Sequence, residues 1–472
     1  MRRLADGSVD YCVKLKERPY REAMWRSGVW MTRFAPTKLR GYRGRAARDG
    51  MDDGTVATVA HDAAAAAAAQ GLATDEGEPV EPEPAPAPGD AAAPIYVGAD
   101  VYYPAAYCQI DRVVASRESA FGGAPKDFLV KWRGLGYASS TWESGATLTS
   151  AADAAAVARY EAIMAPHRRA PAEAKLPAEG TLVLPPTFKP GCTLRDYQCV
   201  SFDWMVRNMR RKRNVILGDE MGLGASLCRS YCASARVSDA LPRCAGKTAQ
   251  SVAVLEHARM EGKGPFLVIA PLTTLMHWQR EVHKWTDMNA VVYDGSAADR
   301  AECQRWEFHF GGAPRGSGRR GGGVVANPYK FDVLLTTYDT MRNEGALLGS
   351  IAWAVCVADE AHRLKAVDSF TSIALRQEYR FGWLLMLTGT PVQNDLKELF
   401  GLLHILDSAA FPTWAAFQEH FCPTGQLEAS RAPLLAAALR PYLLRRMKED
   451  VETLPEKEEV RRGGFVGGFV KL

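Results

Sequence analysis

A glycine-rich turn follows a short apolar run near the middle of the chain. The run 215–217 leads into Gly218-Asp-Glu-Met-Gly-Leu-Gly224. Glycines let successive backbone N–H groups converge on phosphate oxygens, and the N-terminus of a following helix adds its dipole. A phosphate-binding loop of this kind continues with Gly-Lys-Thr, in which Lys contacts the β- and γ-phosphates and Thr holds Mg²⁺. In this chain the triplet Gly246-Lys247-Thr248 starts 22 positions after Gly224.

The segment Ala225–Gly246 separates the two halves of this loop. Removing it joins Gly224 to Lys247 and gives Asp-Glu-Met-Gly-Leu-Gly-Lys-Thr. A real loop would have to close 22 residues, at a cost of about 3 kcal/mol plus a constant, inside the turn on which phosphate binding depends. A retained intron or a gene-model error would instead explain why the segment begins after one glycine and ends on another. We adopt the second explanation as a hypothesis.

An acidic pair follows the apolar run 355–358. The predicted strand presents Asp359 to Mg²⁺ and places Glu360 beside it, where Glu360 can orient or deprotonate an attacking water. The predicted catalytic residues are therefore Lys247, Asp359 and Glu360, and the predicted metal ligands are Thr248 and Asp359. The residues of the loop predicted to hold nucleotide are Asp219, Glu220, Gly222, Gly224, Gly246, Lys247 and Thr248. ATP and Mg²⁺ are the expected cofactors.

Two further apolar runs, 266–269 and 333–335, end in small polar residues. Hydroxyl groups at strand ends are suited to hydrogen-bond the phosphates of a DNA backbone. The residues predicted to contact DNA are Pro271, Thr273, Thr274, Thr336 and Thr337.

A last strand-end turn, Thr388-Gly389-Thr390, could sense the γ-phosphate and pass that state to the DNA side. Together with His362, these three residues form the predicted coupling set.

One fold must position all of these motifs. From Leu194 to about Val460 the chain alternates short Val/Ile/Leu runs with helical stretches, which predicts an α/β fold with a parallel sheet and helices on both faces. Each motif alone has little specificity, but five of them in this order over some 200 residues are very specific.

The joined loop and the order of motifs closely resemble Snf2-type helicase-like ATPases, whose first lobe is RecA-like. Thr193-Leu-Arg-Asp-Tyr-Gln198 resembles the adenine-side motif of that family, and the resemblance makes Gln198 a nucleotide contact. The stretch 440–455 resembles the segment that closes the first lobe. In this family a second lobe supplies an arginine finger worth about 10³–10⁵ in rate. Because this chain ends soon after the first lobe, we expect it alone to hydrolyse ATP poorly or not at all.

An internal repeat precedes the ATPase motifs. Tyr11-Cys-Val-Lys-Leu-Lys16 with Tyr20 and Trp25 lines up with Phe128-Leu-Val-Lys-Trp-Arg133 with Tyr137 and Trp142, at an offset of 117. The alternation predicts an antiparallel hairpin in each copy.

The second copy, with Gln109–Val114 before it, resembles a chromodomain. The resemblance implies a methyl-lysine reader, since aromatic faces attract a desolvated ammonium, and makes Trp132 the cage candidate. Leu135 and Leu15 stand where the family has cage aromatics, so a packed module that touches DNA or a histone is the favoured interpretation.

Composition sets the predicted domain boundaries and excludes some classes of protein. The chain has 472 residues, 47% hydrophobic and 24% charged, with a net charge of +4. No run of 18 apolar residues predicts a membrane span, and ten cysteines without a disulfide framework fit an intracellular protein. The predicted domains are a degenerate chromodomain-like module (1–50), a disordered Ala/Pro/acidic linker (51–97), a chromodomain (98–165), a linker (166–189), an ATP-binding lobe (190–460) and an aberrant tail (461–472).

Paired chromodomains before an Snf2 lobe resemble the chromodomain–helicase–DNA-binding (CHD) remodellers. The resemblance implies a nuclear protein that couples ATP hydrolysis to translocation on nucleosomal double-stranded DNA, with a histone tail as a further partner. Two alternatives stay open: a non-catalytic chromatin-binding protein with a disrupted phosphate loop, and a DEAH-type RNA helicase, which the repeat and the Asp-Glu-Met-Gly-Leu-Gly string disfavour.

Overall fold

The computed structural model of the protein describes residues 2–3, 9–14, 18–35, 37–40, 105–119, 125–165, 181–220, 246–310, 329–389, 396–423, 428 and 430–446. The predicted linker 51–97, nearly all of the segment 225–246 and the tail 461–472 lie outside these residues. The chain divides into two compact units, residues 1–162 and 163–472.

The first unit contains two three-stranded antiparallel sheets. The first sheet consists of β1 (Arg2–Arg3), β2 (Val9–Val13) and β3 (Met24–Ser27), and α1 (Gly28–Phe34) follows it. The second consists of β4 (Ile110–Arg117), β5 (Asp127–Trp132) and β6 (Thr141–Ser144), and α2 (Ala151–Met164) follows it.

The two hairpins of this unit share one register. Cys12 pairs with Trp25 in the first hairpin, and Leu129 pairs with Trp142 in the second. Each of the four β2–β3 pairs maps onto a β5–β6 pair at an offset of 117. The predicted hairpins are therefore confirmed, and the repeat in the sequence is also a repeat in hydrogen-bonding register.

The second unit is built on a seven-stranded sheet in which all neighbouring strands are parallel. Its order is β15-β7-β14-β12-β8-β10-β9. The strands are β7 (Val215–Leu217), β8 (Phe266–Ile269), β9 (Ala290–Tyr293), β10 (Val333–Thr336), β12 (Val355–Ala358), β14 (Leu384–Leu387) and β15 (Leu443–Leu444). The short strands β11 (Ala352–Trp353) and β13 (Arg380–Phe381) form a separate parallel pair.

Helices alternate with these strands, as expected for crossover connections between parallel strands. They are α3 (Asp196–Arg210), α4 (Lys247–Met260), α5 (Leu272–Trp285), α6 (Ala297–Cys303), α7 (Tyr338–Asn343), α8 (Gly345–Leu348), α9 (Phe370–Gln377), α10 (Leu396–Leu406), α11 (Trp414–Phe421) and α12 (Ala432–Leu439). The predicted α/β architecture is confirmed.

The strands of the large sheet are almost completely buried, with apolar side chains on both faces, except for the edge strand β15, whose two leucines are half-buried. This agrees with their continuous Val/Ile/Leu runs, which are typical of parallel sheets covered on both sides. No helix in the described part of the chain combines the length and apolar character needed to cross a membrane.

Candidate functional site: a nucleotide-binding sheet edge

Most of the predicted motifs lie at the carboxyl-terminal edge of the large sheet. Asp219, Pro271, Thr337, Asp359 and Thr388 follow the ends of β7, β8, β10, β12 and β14. Backbone hydrogen bonds join neighbouring strand ends, from Asp359 to Ile269 (2.8 Å) and from Thr388 to Leu217 (3.2 Å). In open α/β sheets ligands bind at this edge. Gly222, Gly224 and Thr390 lie outside the described residues.

The structure brings Lys247 to the end of β7 although 28 positions separate it from Asp219. Lys247 is the first residue of α4, and its Nζ donates a hydrogen bond of 2.8 Å to the backbone oxygen of Asp219. Burial lowers the pKa of Lys247, while the negative charges of Asp219, Glu360 and Asp359 act in the opposite direction. The two halves of the predicted loop therefore meet, and the ammonium lies within the field of the acidic pair.

Asp219 is a buried carboxylate, 2% exposed. Burial raises its pKa, and a hydrogen bond from Gln250 and the charges of Arg446 and Lys247 oppose that shift. Gln250 Nε2 donates to Oδ2 of Asp219 over 3.2 Å. Oδ1 of Asp219 has no hydrogen-bond partner among the described residues, so it can still accept a hydrogen bond.

The N-terminus of α4 has open space beside it. A Cβ added to Gly246, the residue before the helix, would meet none of the described atoms within 4 Å. Thr248, in the first turn of the 14-residue helix, is half-buried. Open space, a helix N-terminus and an ammonium group together fit a phosphate.

Asp359 is held at the end of the central strand β12. Burial raises its pKa, a hydrogen bond from Trp278 lowers it, and the neighbouring charge of Glu360 raises it further. Nε1 of Trp278 donates to Oδ2 of Asp359 over 2.8 Å, and the hydroxyl of Tyr338 donates to its backbone oxygen over 2.7 Å. The carboxylate is therefore fixed in place.

Glu360 has a left-handed backbone conformation, with φ 51°. Its N–H donates to Oδ1 of Asp359 over 3.0 Å, and its Oε2 lies 3.1 Å from Nδ1 of the exposed His362. A non-glycine residue in this region costs free energy and is common at functional sites. Mg²⁺ in nucleotide sites takes one or two carboxylates plus phosphate oxygens and water, and the fixed carboxylate of Asp359 fits that chemistry.

The structure does not leave all predicted DNA-contacting hydroxyls free. Thr336 is 0% exposed, and its Oγ1 donates to the backbone oxygen of Tyr293 over 2.9 Å. Oγ1 of Thr337 donates to Asp294 and accepts from the N–H of Thr340. A hydroxyl beside a carbonyl or carboxylate that needs a partner bonds locally.

The turn after β8 is more open. Thr274 donates its hydroxyl to the oxygen of Pro271 over 3.0 Å. Thr273 is exposed. Within the predicted DNA set, Thr273 is therefore the hydroxyl residue that faces solvent.

Gln198 and Arg446 lie on the β7 side of the site. Gln198 is buried, and its Oε1 accepts the N–H of Arg195 over 3.0 Å at the start of α3. Nη1 of Arg446 donates to the oxygen of Tyr197 and to Oγ of Ser201, both over 2.6 Å.

The stretch that contains Arg446 also forms β15, which pairs with β7. Sequence reasoning did not assign Arg446, Gln250, Trp278 or Tyr338. Each lies near a recognised motif, but its role depends on a contact that spacing does not encode.

Trp132 belongs to the core of the second hairpin module. It is 1% exposed, and its Nε1 donates to Oγ1 of Thr141 over 2.9 Å. The guanidinium of Arg21, from the first module, lies 4.9 Å from the ring centroid. Arg21 also binds both carboxylate oxygens of Asp153 and the oxygen of Cys108. In this structure the ring therefore faces an internal cation.

Two family models match the chain. The model of the SNF2-related domain matches residues 197–462, and that of the Chromo (CHRromatin Organisation MOdifier) domain matches residues 108–162. Since the first match covers more than half of the chain, the protein belongs to the SNF2-related family. Together with the chromo domain before it and the relatives described next, this places the chain in the CHD type.

Curated relatives carry names that agree with this combination. Chromodomain-helicase-DNA-binding protein 7 of Gallus gallus is 36% identical over 367 residues, which are 75% of this chain and 11% of that protein. Protein CHROMATIN REMODELING 5 of Arabidopsis thaliana is 36% identical over 366 residues, 74% of this chain and 19% of that protein. The chain thus spans less than a fifth of the length of these relatives.

Among solved structures, the chain is similar to the SWI2/SNF2 ATPase core of Sulfolobus solfataricus in complex with dsDNA. The identity is 25%, the TM-score is 0.43, and the match covers 57% of this chain and 47% of that chain.

Proposed function

We propose that this chain is the chromodomain and first ATPase-lobe portion of a nuclear, ATP-dependent chromatin remodeller that couples ATP hydrolysis to translocation on nucleosomal DNA. The observation that carries the proposal is the meeting of Lys247 with Asp219 beside the Asp359–Glu360 pair. The proposed domains keep the predicted boundaries: modules at 1–50 and 98–165, and the ATP-binding lobe at 190–460.

Each residue of the site has a definite proposed role. Lys247 neutralises the β- and γ-phosphates, and the N–H groups at the start of α4 hold their oxygens. Mg²⁺, held by Thr248 and Asp359, would offset the charge that develops on the transferred phosphoryl group. Glu360 orients the attacking water or accepts its proton.

Further roles belong to the surroundings of the site. Gln198 contacts the adenine from α3. The residues proposed to report the nucleotide state are His362, Thr388, Gly389 and Thr390, and those proposed to contact the DNA backbone are Pro271, Thr273, Thr274, Thr336 and Thr337. The hydroxyls of Thr274, Thr336 and Thr337 are engaged within the protein, so backbone groups at these strand ends are the more accessible donors.

Two kinds of partner complete the proposal. Double-stranded DNA and nucleosomes are the proposed substrates, and a second ATPase lobe, which follows the first in the family, supplies the arginine finger. The hairpin modules of the first unit contact DNA or a histone tail.

A second function is favoured by one observation. The segment Ala225–Gly246 interrupts the phosphate loop, and if that loop cannot hold phosphate, the chain is a non-catalytic chromatin-binding protein.

Nucleotide binding separates the two functions. We expect the full chain to bind a fluorescent, non-hydrolysable ATP analogue with Mg²⁺, and Lys247→Ala to weaken this binding by about 30-fold or more, because loss of a buried charged partner costs about 2–5 kcal/mol. Lys263→Ala is the matched control, since Lys263 lies on the same lobe and pairs with Glu261 away from the site. Equal affinities for the parent and Lys247→Ala would favour the non-catalytic function.

A further inference from the structure

Every backbone and side-chain polar atom of Asp359 has a hydrogen-bond partner. Its N–H donates to the oxygen of Ile269 (2.8 Å), and its own oxygen accepts from Tyr338 (2.7 Å). Oδ2 accepts from Trp278 (2.8 Å), and Oδ1 accepts from the N–H of Glu360 (3.0 Å). Three of these four partners lie outside the strand–turn that carries the acidic pair, so the position of the carboxylate depends on other elements.

These three partners lie on β8 and on the helices that follow β8 and β10, the two strands whose ends are expected to touch DNA. Ile269 is the last residue of β8, and Trp278 lies in α5, whose first turn contains Thr273. Tyr338 is the first residue of α7 and follows Thr337 directly. The helix that follows each of these two strands therefore supplies a hydrogen-bond donor to the same aspartate.

The two donors are rigid. Trp278 is fully buried in the core of the lobe, and Tyr338 is buried with the guanidinium of Arg363 5.6 Å from its ring centroid. A packed indole or phenol cannot follow its acceptor by rotating freely. A shift of α5 or α7 must therefore move Asp359 with it or break the hydrogen bond.

We infer that Trp278 and Tyr338 are positioning residues that couple DNA binding to nucleotide binding through Asp359. The inference rests on the proposed function, because it takes Asp359 as the Mg²⁺ ligand and the ends of β8 and β10 as DNA contacts. Coupling of this kind is a ratio of affinities, and the ratio is the same whichever ligand is added first.

The test removes each hydrogen bond and keeps an aromatic ring at each position. Trp278→Phe and Tyr338→Phe have matched controls in Trp353→Phe and Tyr379→Phe. Trp353 is buried and donates to the oxygen of Leu348, and Tyr379 is buried and donates to the oxygen of Met341 on α7. Neither of these hydrogen bonds involves Asp359.

The measurement is a pair of dissociation constants in the full chain. A fluorescent, non-hydrolysable ATP analogue with Mg²⁺ is titrated into each variant, once alone and once with a saturating DNA duplex. We expect the two constants of the parent to differ by at least fivefold, within the usual range for coupled sites. In Trp278→Phe and Tyr338→Phe this difference should fall to less than twofold, while both controls keep the value of the parent.

Each other outcome has one meaning. A parent-like difference in both site variants overturns the inference, and so does an equal loss in the controls, which would indicate a general effect on packing. A parent without any difference also overturns it, but leaves the proposed function standing if Lys247→Ala weakens binding. A parent that binds the analogue no better than Lys247→Ala refutes the proposed function itself.

Discussion

The two sides of the nucleotide site are held in place in different ways. On the β7 side, Lys247 reaches the backbone of Asp219 with a long undescribed stretch between them, and the contact depends on where β7 and α4 lie. On the β12 side, Asp359 and Glu360 are adjacent, and neighbouring strands and helices bind Asp359 from several directions.

On the β7 side, the positions of β7 and α4 matter more than the length of the chain that joins them. Strand β7 and helix α4 pack in the main core, and that packing is enough to bring the ends of the loop together. The phosphate-binding geometry therefore tolerates a change in loop length better than a change in the sheet. On the β12 side the neighbouring elements matter more, since a shift of any element that is hydrogen-bonded to Asp359 moves the carboxylate or breaks a bond to it.

Deleting residues 225–246 addresses the β7 side and should have the largest effect. Closing 22 residues lowers the stability of the folded chain by about 3 kcal/mol, so we expect the deletion variant to gain up to about 3 kcal/mol in free energy of unfolding, measured by denaturant titration. It should bind the ATP analogue at least as tightly as the parent. Replacing the same segment with an equally long Gly/Ser linker should give no such gain. Weaker binding after deletion would mean that the segment contributes to the phosphate site.

Gly401→Ala addresses the β12 side. A Cβ at Gly401 in α10 would overlap the backbone oxygen of Lys365, just after the turn that carries the acidic pair. Overpacking of this kind costs about 1–3 kcal/mol, so the thermal unfolding temperature should fall and affinity for Mg²⁺ with nucleotide should weaken. Ala416→Gly at an exposed position of α11 gives the size of the helix-propensity change between Ala and Gly, which for Gly401→Ala alone would raise the unfolding temperature. An unchanged or raised unfolding temperature in Gly401→Ala would contradict this packing.

Asp219→Asn should change how stability depends on pH. Because burial raises the folded-state pKa of Asp219, the folded protein holds this proton more tightly than the unfolded chain does. Stability is then lost as pH rises from about the unfolded value of 3.8 through the raised pKa. The stability of the Asn variant relative to the parent should therefore increase from pH 4 to pH 7 in thermal melts.

The exposed Asp339 gives the control, Asp339→Asn, which removes a carboxylate from the surface of the same lobe. A relative stability of Asp219→Asn that falls with rising pH would show that the carboxylate is stabilised rather than strained in the folded state.

Arg446→Ala should have the smallest effect. It removes two hydrogen bonds between the segment near β15 and α3, together worth about 1–3 kcal/mol at a half-buried position. We expect a small loss of stability and a modest loss of nucleotide affinity. Arg445→Ala, at the exposed neighbouring position, should change neither quantity, and equal effects of the two variants would refute a specific role for Arg446.

The architecture could be predicted from the sequence because its strands are continuous apolar runs that end in polar turns. The position of the acidic pair could also be predicted, since Asp359 and Glu360 follow such a run directly. Lys247 could be assigned to the phosphate loop only by the hypothesis that a segment interrupts that loop.

The hydrogen-bond partners of the side chains could not be predicted from the sequence. A threonine at a strand end can face DNA or bond to its own protein, and only the geometry distinguishes Thr273 from Thr336. The links from Trp278 and Tyr338 to Asp359 cross 81 and 21 positions, and no local pattern encodes such distances. Trp132 has the family position of a cage residue, yet its environment depends on Arg21, 111 positions earlier in the chain.

Arg21 acts as a tethered competitor for the ring of Trp132. A group on the same chain meets its partner at an effective concentration on the order of millimolar, and Arg21 is further held by Asp153 and Cys108. A cation from solution would have to displace the guanidinium of Arg21 to reach the ring. In this structure the Arg21 contacts therefore keep that face of the Trp132 ring occupied from within the first unit.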